Sequence, residues 1–90
     1  MAEAMIAAGR ELGLSHEIAS RLAVATIAGA GRLMAEDGAT PTALRTQVTS
    51  PNGTTAAGLE VLIRSDAGIE ALVAQTVAAA AARSRELAEG

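Results

Sequence analysis

Ninety residues with a net charge of −3 contain no cysteine, no aromatic side chain and a single histidine, His16. That composition excludes disulfides, thiolate or multi-histidine metal centres and a Ser/His/Asp triad within one chain. It also lacks the stacking platforms and the positive charge that nucleic-acid binding uses. Half the residues are apolar, but 23 of these are alanine and only 22 are larger. So thin a core suits an oligomer, or a domain of a larger chain, better than a self-sufficient monomer.

The longest apolar stretch, Leu22 to Gly31, lies between Arg21 and Arg32 and falls far short of the ~20 residues a bilayer requires. The start at Met1 lacks the cationic residues of a secretory signal. The expectation is a soluble, cytoplasmic chain with neither a membrane nor a nucleic acid as partner.

Met1, Met5, Ala8 and Leu12 step along one face of a first helix that Gly13 ends. It has no capping residue ahead of it, as the tail of a longer helix would. Ser15 is the natural N-cap of a second helix, from His16 to about Asp37 with Gly38 as its stop. Two apolar rows run along it: Ile18, Leu22, Ala25, Gly29 and Leu33, and Val24, Ile27, Gly31 and Met34. A helix apolar on two faces is buried on both. Gly29 and Gly31 each cost about 1 kcal/mol relative to alanine in a helix, so their presence points to close approach of another backbone, the alternative being that both are merely tolerated.

Thr40-Pro41 marks a third helix, to about Gln47, with a capping hydroxyl followed by proline at the first helical position. A fourth helix is expected over about Thr55–Arg64, with Leu59, Leu62 and Ile63 on one side and a Glu60–Arg64 pair on its surface. The last spans about Ile69–Leu87, with Ile69, Leu72, Val73, Val77, Ala80 and Ala81 inward and Arg83 and Arg85 near its end. No strand is expected. The fold class is all-α: a small bundle of about five helices over 1–90, one unit, interlocked with a second copy as a dimer.

Chemistry concentrates in the loop from Ser50 to Thr55. Pro51 holds its own φ and pushes Ser50 toward extended backbone, and Asn52-Gly53 tolerates a sharp turn with positive φ. Thr54 and Thr55 then open a helix whose first amides have no internal partner. Converging N–H groups and the helix dipole suit a carboxylate or phosphate, with the hydroxyls of Ser50, Thr54 and Thr55 as neutral partners. The same residues also suit a plain interhelical turn in which Thr54 caps the helix and nothing binds.

Other constellations are weaker. Gly29-Ala30-Gly31 lacks the preceding strand of a dinucleotide fingerprint and has Met34 where its third small residue belongs. His16 reads as a solvated residue in a first helical turn, and the scattered acids read as solvated faces. A helix-turn-helix over Thr40–Leu62 fails on charge, because Arg45 is the one base in that stretch.

The run Leu44-Arg45, then Val48-Thr49-Ser50-Pro51-Asn52-Gly53-Thr54-Thr55-Ala56-Ala57-Gly58-Leu59, then Leu62, closely resembles the signature of the pyrroline-5-carboxylate reductase family. The likeness extends to Gly13-Leu14-Ser15, to Ala19 with Leu22-Ala23, and to Ala81-Ala82-Arg83-Ser84-Arg85-Glu86-Leu87. It covers nearly the whole chain but only the C-terminal helical half of that enzyme.

The resemblance implies reduction of 1-pyrroline-5-carboxylate to L-proline with hydride from NADPH or NADH. It implies a homodimer, with larger assemblies open to it, whose shared cleft takes the small carboxylate substrate. Ser50 and Thr55 would be the hydroxyl contacts, and backbone amides near Gly53, Thr54 and Thr55 would face the carboxylate. Thr55 would be the catalytic residue, orienting the imine nitrogen by positioning rather than acid–base work. Asn52 stands where the family has its first glycine, which bears on turn shape and substrate affinity. The N-terminal Rossmann domain is not part of this sequence, so no cofactor is expected on this chain and no catalysis from it alone. The competing assignment is a stand-alone helical oligomerisation scaffold without catalytic activity.

Overall fold

A computed structural model describes residues 1–50, 53–64 and 66–90. Among these residues there are five helices and no strand: α1 (Ala2–Glu11), α2 (His16–Met34), α3 (Pro41–Val48), α4 (Thr54–Leu62) and α5 (Ile69–Glu89). The chain divides into two compact units, Met1–Gln47 and Val48–Gly90.

In the first unit, α1 and α2 form a hairpin whose connection is built from local chemistry. Gly13 adopts a φ of +100°, a left-handed conformation that glycine enters without a Cβ penalty. Its amide donates to the Arg10 carbonyl at 3.0 Å, and the next amide, Leu14, donates to the Gly9 carbonyl at 3.1 Å. These two bonds form a Schellman end and satisfy carbonyls that the helix would otherwise leave open. One residue later Ser15 starts α2, its Oγ accepting from the Ile18 amide at 3.2 Å.

The seam between the two helices is made of small residues. A methyl group on Gly9 would lie 3.2 Å from Ala19 Cβ and 3.4 Å from Leu14 Cδ1. Ala19 and Ala23 are the buried apolar side chains among the described residues. This corrects the expected phase of α1: Ala2, Met5, Ile6 and Gly9 are its less exposed positions, whereas Met1 and Leu12 are exposed. On α2 the seam uses Ala19 and Ala23, beside the two expected rows, and Ile18, Leu22, Leu33, Val24, Ile27 and Met34 all remain exposed. Close backbone approach selects the smallest side chains for the seam and displaces the larger ones to its flanks.

α2 ends three residues before Asp37. Ala35 is its C-cap, a tightened turn follows with Glu36 donating to the Leu33 carbonyl at 3.3 Å, and Gly38 then reverses the chain at a φ of +78°. Thr40 begins α3 as expected, its Oγ1 accepting from the Ala43 amide at 3.1 Å.

In the second unit α4 starts one residue before the expected Thr55 and stops at Leu62. The expected Glu60–Arg64 pair is not formed; Arg64 Nε donates to the Val61 carbonyl at 3.2 Å instead. Gly68 is buried at the start of α5, and its amide donates to the Arg64 carbonyl at 3.0 Å. A methyl group there would sit 2.6 Å from the Leu62 carbonyl oxygen and 2.8 Å from the Arg64 nitrogen. α5 runs two residues past the expected Leu87. Its last turn therefore holds no base, and Arg83 pairs with Glu86 at 3.0 Å along the exposed helix surface. The expected inward row of α5 is not buried within the chain: Leu72 is 64% and Val77 61% exposed.

Candidate functional site

The site expected at Ser50–Thr55 lies within the second unit, and Pro51 and Asn52 fall outside the described residues. On either side of them, the Gly53 amide donates to the Ser50 carbonyl at 3.0 Å. Gly53 is the N-cap of α4, in extended backbone with φ −86° and ψ 179°. The positive φ expected to make this glycine useful is therefore not used at Gly53. Space is the reason for glycine here, because a methyl group would lie 3.2 Å from the Ser50 carbonyl oxygen and 3.3 Å from Ser50 Cβ.

Thr54 and Thr55 are the first two residues of α4, and both are exposed, as is Ser50. Among the described residues, the first amide of this helix with an acceptor is Ala57, which donates to the Gly53 carbonyl at 3.1 Å. Among the described residues no side chain caps α4, and its N-cap is Gly53 rather than the Thr54 of the plain-turn alternative. The amides of Thr54, Thr55 and Ala56 meet no acceptor among the described residues. α2 and α3, by contrast, each have a capping hydroxyl on one such amide. N–H groups without an acceptor at the positive end of a helix dipole are the backbone features that anion sites use.

The structure thus brings Ser50, Gly53, Thr54 and Thr55 together, with two adjustments to their roles. The Gly53 amide is already engaged by Ser50, and Ala56 has an amide that meets no acceptor among the described residues. The capping position could have revealed it, since the three residues after any N-cap carry the open amides. No titratable side chain lies among Ser50, Gly53, Thr54, Thr55 and Ala56, so these residues offer hydrogen-bonding groups and no acid or base.

Elsewhere the candidates are plain. His16 is exposed at the first position of α2, and no group of three or more His, Asp or Glu able to hold a metal occurs among the described residues. A shallow apolar groove of about 150 Å³ runs along the α1–α2 seam past Met5, Leu14, Leu22 and Thr26. Thr26 spends its hydroxyl on the Leu22 carbonyl at 2.7 Å, which leaves the groove little polar chemistry of its own. No described helix is long and apolar enough to cross a membrane.

Large apolar side chains remain exposed along several helices. They include Val24 and Ile27 on α2, Val61 and Leu62 on α4, and Leu72, Val73 and Val77 on α5. Gly31 and Gly58 sit inside helices with nothing within 4 Å of where a Cβ would be. Among the described residues of the first unit, the close backbone approach expected at Gly29 and Gly31 is not made, and Arg32 Nη2, at 4.0 Å, is the atom nearest to where a Cβ of Gly29 would be.

Comparison with known proteins gives one consistent result. Residues 1–87 match the family model described as pyrroline-5-carboxylate reductase dimerisation. A pyrroline-5-carboxylate reductase of Pseudomonas aeruginosa is 48% identical over 87 residues, which are 97% of this chain and 31% of that protein. Pyrroline-5-carboxylate reductase 1 of Bacillus subtilis is 43% identical over 81 residues, 90% of this chain and 27% of the relative. The Arabidopsis thaliana reductase is 40% identical over 87 residues, 97% of this chain and 31% of the relative. The chain thus spans about a third of the length of the curated relatives it matches. No solved structure matches it.

Proposed function

Because the chain belongs to the pyrroline-5-carboxylate reductase dimerisation family, we propose that it pairs with a second copy through its helices and holds the carboxylate of a small substrate at the start of α4. The observation that carries the pairing is the exposed apolar surface. Val24 on α2 and Leu72 and Val77 on α5 are each at least 60% exposed, and Gly31 of α2 has open space that would admit another backbone. A stable protein–protein interface removes about 800 Å² from each partner, and side chains of this kind supply its apolar centre. Interlocked helices of two copies would cover the exposed apolar side chains of α2 and α5.

The substrate follows from the chemistry of the loop together with the family. A cyclic imine with one carboxylate, 1-pyrroline-5-carboxylate, needs anion recognition and a few neutral hydrogen-bonding groups. The open amides of Thr54, Thr55 and Ala56 would take the carboxylate. The hydroxyls of Ser50 and Thr55 would contact the ring, with Thr55 orienting the imine nitrogen. Gly53 supports the site by letting Ser50 approach. Thr55 acts by orientation, which lowers the entropic part of the barrier when hydride arrives.

The family's hydride donor is NADPH or NADH, and the described residues of this chain do not form a cradle for it. Gly29 and Gly31 lie inside α2, and no strand precedes them, whereas a dinucleotide site needs a strand leading into a glycine turn and a helix start. No step through that cofactor is assigned to these residues. A cytoplasmic setting belongs with this function.

Titrating the isotope-labelled 90-residue chain with L-proline, the product, tests the substrate half. Amide signals of Thr54, Thr55 and Ala56 are expected to shift in a saturable way, while those of α1 stay still. A chain that forms dimers yet shows no such shift would be an oligomerisation scaffold without a ligand site.

A further inference from the structure

We draw no further inference here: the strongest candidate, the uncovered apolar face of α2 around Val24, Ile27 and Met34, restates the pairing already proposed from the family, and nothing in the structure shows what else covers it.

Discussion

Gly53 and Ser50 are locked together: the Gly53 amide donates to the Ser50 carbonyl at 3.0 Å, and there is no room at Gly53 for a side chain without moving Ser50. The contact ties one hydroxyl of the proposed site to the cap of α4. Gly53→Ala is expected to displace Ser50 by a few tenths of an ångström and to weaken L-proline binding several-fold. Since φ at Gly53 is −86°, which any residue adopts, helix content should be unchanged. Ligand titration followed by NMR, beside a circular dichroism spectrum, separates the two effects. Unaltered affinity would remove Gly53 from the site.

Gly31 lies inside α2 with open space around it. In a single chain, Gly31→Ala should stabilise the helix by up to about 1 kcal/mol through propensity alone. If a second copy packs its backbone there, the added methyl group should instead weaken association. Dimer dissociation constants for wild type and variant, measured by sedimentation, decide between these signs. A weaker dimer is the expected result.

Leu72 is 64% exposed on α5. Leu72→Glu at a free surface would change stability by no more than about 0.5 kcal/mol. At the centre of an interface it should reduce association at least tenfold, because a carboxylate would be buried without a partner. Concentration-dependent size-exclusion profiles of the variant provide the check.

Gly68 is the position least tolerant of a side chain. Its surroundings are backbone, with the Leu62 carbonyl oxygen 2.6 Å and the Arg64 nitrogen 2.8 Å from the place a Cβ would take. Backbone cannot step aside as the end of a flexible side chain can, so Gly68→Ala should destabilise the fold by about 1–3 kcal/mol, the range for overpacking. Ser15→Ala removes one cap from α2 and should cost about 1 kcal/mol. Urea denaturation midpoints rank the two, with Gly68→Ala expected to be the lower.

Helix starts were legible in the sequence because Ser15 and Thr40-Pro41 carry their capping chemistry within three residues. Gly13 was legible as a stop for a similar reason. The inward faces were not. Hydropathy ranks Leu22 and Ile27 above Ala19 and Ala23, yet closest approach at Gly9 favours the smaller pair, and alanine is so frequent that its pattern does not mark a face. At the loop, Ser50, Thr54 and Thr55 stood out by their hydroxyls. The contact that requires glycine at 53 is a distance through space, and the open amide of Ala56 is a backbone group to which side-chain identity gives no clue.

Sedimentation equilibrium at micromolar concentration tests the central claim most directly. A particle of twice the 8.9 kDa chain mass, persisting on dilution, is expected from apolar helices that cover one another across two copies. A stable, helical particle of a single chain mass would contradict it.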